Sequence, residues 1–218
     1  MTGHRPIDRE SAEAVFLRYA PLFEKFDEEG IDYCLVGGLA VLAHCLANES
    51  GRLRATEDAD VMVPPDYSNA DFARDYLSVY AADPDTSKAV YDALLGESGF
   101  DELSEEEAAF MNVSFVGADE DLDGVDTPDF DVCRMLNARS LATISRERLS
   151  VCGVQIWVAT VDELLGMKRD TVSLYGVGIE SSSRPHDFID IASLEALSPQ
   201  QEEGGLRSKL SDLLGGRR

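Results

Sequence analysis

Apolar residues near the N-terminus recur at helical spacing and then give way to a short strand. Residues 11–29 carry apolar side chains at about every third or fourth position, which predicts a helix that ends at Gly30. Pro21 lies inside this stretch, so we expect a kink or two shorter helices. Residues 31–36 are typical of a strand, and the small apolar run 39–47 is typical of a buried helix.

The central part of the chain predicts more strands than helices. A polar loop over 48–56 leads to a strand over 57–63, and two proline residues follow it. Helical spacing returns over 72–80 and 89–95, and acidic runs occupy 97–107 and 118–126. Further strands are predicted over 111–116, 130–136, 147–152 and 154–159, the last two forming a hairpin around Gly153.

The C-terminal third is predicted to be helical. A helix over 161–174 opens with Thr160 as its N-cap and Glu163 as the capping-box glutamate. Two more helices are predicted over 184–197 and 199–214. The order of the elements predicts an α/β (α+β) fold, a mixed sheet flanked by helices with a helical C-terminal part.

Length and hydropathy set the expected organisation of the chain. Its 218 residues fit one domain with a small appendage. We expect a core with its preceding N-terminal helix over 1–160 and a helical C-terminal subdomain over 161–218. No apolar run is long enough to cross a membrane and the N-terminus lacks a secretory apolar region, so a cytoplasmic protein is expected.

The charge of the chain is strongly acidic. There are 42 acidic and 19 basic residues, which gives a net charge of −23. Such a surface disfavours polyanions and repels itself in dilute salt. We interpret it as a solvated surface of the kind found in halophiles, where a salt-rich cytoplasm screens the charge.

The four cysteines stand singly, without CxxC pairs or metal-ligand spacing. We expect them to be small buried hydrophobes in a reducing compartment. They are Cys34, Cys45, Cys133 and Cys152.

Two features close together in the chain carry candidate chemistry. Gly37 and Gly38 lie where the first strand gives way to a helix, so the backbone can turn tightly and offer N–H groups to a phosphate. Asp58 and Asp60 are two residues apart on the next strand and therefore face the same side. Two such carboxylates repel each other unless a cation lies between them, and a divalent metal on nucleotide phosphates is a fitting cation.

A two-metal phosphoryl-transfer site needs a further carboxylate, which acts as general base and metal ligand. The segment TPDFDVCRML supplies Asp129 and Asp131 on a common face of a later strand. Because Asp131 is flanked by Phe130 and Val132, it lies deeper in the apolar strand, and we favour it over Asp129.

These motifs resemble the nucleotidyltransferase superfamily of polymerase-beta-like fold. The matching segments are LVGG at 35–38, DADVMV at 58–63 and FDV at 130–132. Within the superfamily the chain is most similar to AbiEii-type toxins and minimal nucleotidyltransferases, which share GG-x-A-L and an R-x-T-x-D-h-D motif, matched here from Arg54 to Asp60.

Two later motifs extend the resemblance to about residue 195. VATVDELLGMKRDT matches the family's Leu-Leu-x-x-Lys helix, with Lys168 as the lysine. RPHDFIDI matches its Arg-x-Lys-Asp helix and contains Arg184, Asp187 and Asp190. His186 stands where the family usually has lysine.

The resemblance implies a metal-dependent catalytic site. Asp58 and Asp60 would hold Mg²⁺ or Mn²⁺, and Asp131 would join them as a metal ligand and activate the acceptor hydroxyl. Lys168 would neutralise charge on the phosphates or on the departing pyrophosphate.

The resemblance also implies a nucleotide-binding set. Gly37 and Gly38 would bind the triphosphate, together with Lys168. Arg54 or Thr56 would steady the loop or touch the nucleotide, and Asp187 would complete the pocket.

Simpler structural roles stay open for several of these residues. Lys168 is alternatively a surface lysine, and Arg184 forms an ion pair with Asp187 or Asp190 within its own helix. His44 is expected to be a structural hydrogen-bonding residue rather than a base.

The expected function is transfer of an NMP from an NTP to a hydroxyl on a protein, an RNA end or a small molecule. A role as the toxin-like component of a toxin–antitoxin system, with an antitoxin partner, is part of this hypothesis. The alternative is a non-catalytic nucleotide-binding or protein-binding module on the same fold. A dinucleotide-dependent oxidoreductase is disfavoured, because no GxGxxG follows the first strand.

Overall fold

The computed structural model describes residues 6–80, 112–115, 127–176 and 185–198. Several predictions lie outside these residues. They are the helices over 89–95 and 199–214, the acidic segments 97–107 and 118–126, and Arg184.

The described helices and strands follow the order that the sequence predicts, with one additional short hairpin. The helices are α1 (Arg9–Glu29), α2 (Gly37–Ala47), α3 (Asn69–Tyr80), α4 (Val161–Gly176) and α5 (Pro185–Leu197). The first strands are β1 (Cys34–Val36), β2 (Asp58–Met62), β3 (Val113–Phe115) and β4 (Asp129–Cys133). The others are β5 (Met135–Leu136), β6 (Arg139–Ser140), β7 (Arg146–Val151) and β8 (Val154–Ala159).

Six strands form one mixed sheet in the order β3-β4-β2-β1-β8-β7. β2 pairs in parallel with β4 and antiparallel with β1, which itself pairs in parallel with β8. The predicted α/β class, a mixed sheet flanked by helices, is confirmed. The predicted strand over 130–136 is wrong in one respect, because β4 ends at Cys133 and the next residues form a separate hairpin of β5 and β6.

Helix α1 runs unbroken through Pro21, so the alternative of two shorter helices is wrong. Phe16, Tyr19, Phe23 and Phe26 on its inner face are fully buried, and this packing holds the helix together across the proline. At its end Gly30 adopts the left-handed conformation, with φ of 70°, as predicted for a stop.

An aromatic cluster fixes which way β4 faces. Phe130 packs edge-on against Tyr19 of α1, with ring centroids 5.3 Å apart, and also contacts Phe72 and Tyr76 of α3. Because neighbouring strand residues point to opposite faces, burying Phe130 turns the carboxylate of Asp131 to the other face. The core therefore orients the candidate site.

The N-cap of α4 is confirmed, but only half of a capping box forms. The N–H of Glu163 donates to Thr160 Oγ1 at 3.3 Å. The Glu163 carboxylate does not return to Thr160. It accepts instead from Arg139 at 2.5 Å and from the N–H of Ser145.

The burial predicted for the cysteines is wrong for Cys152. Cys34, Cys45 and Cys133 are buried, whereas Cys152 is exposed because it lies in the tight turn between β7 and β8, with φ of 51°. Burial raises the pKa of the Cys34 and Cys133 thiols to about 12. All four cysteines are free.

Among the described residues, none of the helices combines the length and the apolarity that a membrane span requires.

Candidate active site

A cavity of about 800 Å³ opens at the edge of β2 and β4 and extends to α4 and α5. Its volume lies in the range of small-molecule sites. The cavity brings together every residue that the sequence singled out for metal, catalytic or nucleotide-binding roles. These residues are Gly37, Gly38, Arg54, Thr56, Asp58, Asp60, Asp131, Lys168 and Asp187.

The parallel pairing of β2 with β4 aligns the two Asp-x-Asp segments. Asp60 lies directly opposite Asp131, and Asp58 lies opposite Asp129. Both strands show the same burial pattern, with half-buried aspartates alternating with buried apolar residues. Four carboxylates consequently lie on one face of two adjacent strands, and neighbouring strands in a sheet are about 4.8 Å apart.

Gly37 is required because Asp60 leaves no space for a side chain. Its φ is +67°, and a Cβ at this position would lie 1.7 Å from Asp60 Oδ2. The Asp60 carboxylate therefore rests against the backbone of the turn that opens α2. The turn expected to bind phosphate is therefore in direct contact with Asp60, one of the candidate metal ligands.

Gly38 is enclosed from the other side. A Cβ at Gly38 would lie 2.8 Å from both Arg54 Nη2 and Thr56 Oγ1. Thr56 Oγ1 also donates to Asp58 Oδ1 at 3.3 Å and to the Asp58 carbonyl at 3.2 Å. Thr56 thus links the start of α2 to the start of β2.

Arg54 is committed to an ion pair with a residue far along the chain. Its Nε and Nη2 donate to the two carboxylate oxygens of Asp190 at 2.6 and 2.7 Å, and its Nη1 donates to the Ala55 carbonyl at 3.0 Å. This geometry supports the steadying role expected for Arg54. A contact of Arg54 with nucleotide stays a prediction.

Lys168 is not a surface lysine, since its side chain is 13% exposed. Its ammonium lies 2.8 Å from Asp187 Oδ1 and 2.8 Å from Asp190 Oδ2. Asp187 and Asp190 on α5 therefore form ion pairs with cations of other elements, which are Lys168 on α4 and, for Asp190, also Arg54. An ammonium has three N–H groups, and two of them are directed at these carboxylates, so the third has no acceptor among the described residues and is available to the cavity that Lys168 lines.

The carboxylate of Asp187 is buried but only partly satisfied. Its side chain is 1% exposed, and Oδ2 has no hydrogen-bond partner among the described residues. His186 Nε2 lies 3.8 Å from Asp187 Oδ1. Asp187 thus lines the cavity, with one carboxylate oxygen enclosed beside it.

The buried charges shift each other's protonation. Burial by itself would raise the pKa of Asp190, but hydrogen bonds from Arg54 and the charge of Lys168 outweigh it and hold the pKa below its usual value. Burial lowers the pKa of His186, and the nearby Arg54 and Lys168 lower it further against the opposite effect of Asp187. His186 is therefore neutral at pH 7.

His44 has the structural role expected from its position. It is buried within α2, and its Nε2 donates to the Ala159 carbonyl at 2.8 Å. This bond ties α2 to the end of β8.

Sequence reasoning missed several polar residues that line the cavity. Ser114 on β3 lies opposite Asp131 in the sheet register, and a partner strand cannot be identified from local pattern alone. The other missed lining residues are Glu57, Asn112, Asn137 and Thr171. Asp190 does not line the cavity, and its motif does not indicate the pairing with Arg54 and Lys168.

The donor set fits a hard divalent cation. Carboxylate oxygens are the protein ligands that Mg²⁺ prefers, and the sheet register brings Asp58, Asp60 and Asp131 within reach of one another. Among the described residues no group of three His, Cys, Asp or Glu side chains could hold a metal ion as it stands. Binding therefore requires these side chains to turn toward a common point.

Comparison with known proteins shows the fold. No protein-family model and no curated protein sequence matches the chain. The structure is similar to the crystal structure of an antigenic nucleotidyltransferase-like protein from Paracoccidioides brasiliensis, with a TM-score of 0.52 and 20% identity over 98% of this chain and 91% of that chain. The fold is therefore nucleotidyltransferase-like.

A second structure is similar at a lower level. It is the solution structure of the antibiotic-resistance factor ANT(2'')-Ia, with a TM-score of 0.44 and 10% identity over 95% of this chain and 97% of that chain.

We predict that Gly37→Ala destabilises the protein more than Gly153→Ala. Both glycines have positive φ, which costs an alanine about 1–2 kcal/mol, but a Cβ at Gly153 meets nothing within 4 Å. At Gly37 the same change also displaces Asp60. Urea denaturation of the two variants measures the difference, and equal losses would show that the Asp60 contact does not constrain this turn.

We predict that His186 makes stability depend on pH near neutrality. Because its pKa is lower in the folded state than the ordinary 6.5, the unfolded chain binds more protons in this range. The stability that neutral His186 contributes to the wild type is then fully present above pH 6.5 and is lost as the pH falls below that value. In His186→Gln the urea midpoint should fall less between pH 7.5 and 5, whereas parallel curves for the two proteins would contradict the prediction.

Proposed function

We propose that this protein is a nucleotidyltransferase that moves an NMP from an NTP to a hydroxyl acceptor in a Mg²⁺-dependent reaction. The observation that carries the proposal is the alignment of Asp58, Asp60 and Asp131 on one face of β2 and β4. They lie in the same cavity as the Gly37-Gly38 turn. The nucleotidyltransferase-like fold supports the same reaction class.

The start of α2 supports a triphosphate site. Its N-cap residue, Val36, makes no side-chain capping bond, so the first N–H groups of the helix have no partner from the cap. These groups and the helix dipole favour an anion. Glycine at 37 and 38 lets phosphate oxygens approach the backbone closely.

The three aspartates would hold the metal, which when bound supplies charge neutralisation on the phosphoryl oxygens. Asp131 accepts the proton of the acceptor hydroxyl, whose oxygen forms a bond to the α-phosphorus. The bond from that phosphorus to the bridging oxygen breaks, and pyrophosphate leaves. Lys168 donates its remaining N–H to a phosphate oxygen and reduces the charge of the leaving group.

The acceptor is a protein, an RNA end or a small molecule. The motifs shared with AbiEii-type proteins favour a toxin-like role beside an antitoxin partner. A non-catalytic nucleotide-binding module is the alternative, and it is distinguished by binding without transfer.

We predict that Asp58→Ala with Asp60→Ala weakens Mg²⁺-dependent NTP binding by roughly 100-fold or more, because metal neutralisation of the phosphates is lost. Calorimetry with each of the four NTPs, with and without Mg²⁺, measures the change. The control is Glu24→Ala with Glu28→Ala, two exposed acids of α1 whose removal changes the net charge equally. Wild-type affinity in the aspartate variant would refute the site assignment.

We predict that Asp131→Asn weakens NTP binding less than the Asp58/Asp60 double variant does, because the amide oxygen can still serve as a metal ligand. Transfer should fall by about 10²–10⁴-fold, since an amide cannot accept the proton. Labelled NTPs are incubated with the protein alone, with short RNAs and with hydroxylated small molecules. Unchanged transfer in this variant would exclude Asp131 as the base. If the wild type binds NTP but transfers label to none of these acceptors, the binding module is favoured.

A further inference from the structure

Four buried charged residues form a cluster at the wall of the cavity, which we call the charge cluster: Arg54, Lys168, Asp187 and Asp190. The side chains of the two cations are 10% and 13% exposed, and those of the two carboxylates are 1% exposed. The cluster is electrically balanced, with two charges of each sign. It joins the loop before β2 to α4 and α5.

Arg54 lies at one end of this cluster, where it pairs with Asp190. Its guanidinium binds Asp190 through two parallel hydrogen bonds, an arrangement that fixes direction as well as distance. Its Nη2 also lies 2.8 Å from the position of a Cβ on Gly38. Arg54 thus packs against the first turn of α2, at the candidate phosphate site.

Asp190 also pairs with Lys168, so it connects Arg54 to the lysine. The carboxylate oxygen that accepts from Arg54 Nη2 is also 2.8 Å from Lys168 Nζ. A lysine has a flexible four-carbon stem, so a single ion pair fixes its ammonium poorly. Bonds to both Asp187 and Asp190 leave one N–H in a defined direction.

We propose that Arg54 and Asp190 are positioning residues, which hold the Lys168 ammonium in register with the Gly37-Gly38 turn so that both contact the same triphosphate. The proposal rests on the proposed function. It assigns no substrate contact to Arg54 or Asp190. If the Arg54–Asp190 ion pair had only a structural role, apolar residues could replace both partners without loss of nucleotide binding. The positioning role predicts that nucleotide binding is weakened by the same replacement.

The test compares Arg54→Met, Asp190→Leu and the double variant. Arg54→Met leaves the buried Asp190 with Lys168 as its remaining cation, and Asp190→Leu leaves the buried Arg54 without its carboxylate. Both melting temperature and Mg²⁺–NTP affinity should therefore fall in each single variant. In the double variant the melting temperature should recover toward wild type, whereas NTP affinity should stay about 10- to 100-fold weaker, the effect of a misplaced contact. Recovery of both quantities together would show a structural role and overturn the proposal.

Lysine reactivity gives a second readout that needs no nucleotide. Mass spectrometry follows the acetylation rate of Lys168 relative to Lys25, which pairs with Glu29 on α1 and serves as an internal control. Lys168 should react faster in the double variant than in wild type, with Lys25 unchanged. An unchanged rate at Lys168 would overturn the proposal.

The two readouts separate this proposal from the proposed function. If the wild type binds none of the four NTPs with Mg²⁺, the proposed function fails, and the lysine rates still report whether Arg54 and Asp190 hold Lys168. If the wild type binds and only the positioning test fails, the nucleotide site stands without this role for Arg54.

Discussion

The parallel pairing of β2 with β4 is the interaction on which the site depends. Its register sets Asp60 opposite Asp131, and a slip by one residue would turn either strand's carboxylates to the opposite face. Burial of Phe130 against α1 and α3 prevents such a slip, since it would bring Phe130 into the cavity and a charge into the core. The packing on the apolar face of the sheet therefore holds the aspartates of β2 and β4 side by side on the polar face, although their like charges repel each other.

Much of this arrangement could be predicted from local pattern. The alternation around Asp58 and Asp131 is visible in a few residues of sequence, and the glycine pair marks the boundary between strand and helix. The pairing of Arg54 with Asp190 could not be predicted in this way, because 136 residues separate them. Which cation meets which carboxylate is decided by how α5 packs, and sequence spacing does not contain that information.

The site combines two ways of managing charge. In the charge cluster each carboxylate has a cation from the protein, so that part of the cavity wall is balanced without a ligand. On β2 and β4 the proposed function assigns the charge of the facing aspartates to a bound metal ion. The two parts of the site thus differ in the source of the positive charge, which is the protein itself in the charge cluster and a ligand in the proposed metal site.

The contact between Gly37 and the Asp60 carboxylate couples the effects of substitutions at the two positions. No side chain can enter at position 37 while an aspartate stands at position 60 in this conformation, because the two would overlap. Replacing Asp60 by a smaller residue would remove this overlap, and the backbone φ of 67° would then be the remaining obstacle to a side chain at position 37. The cost of a substitution at either position therefore depends on which residue stands at the other.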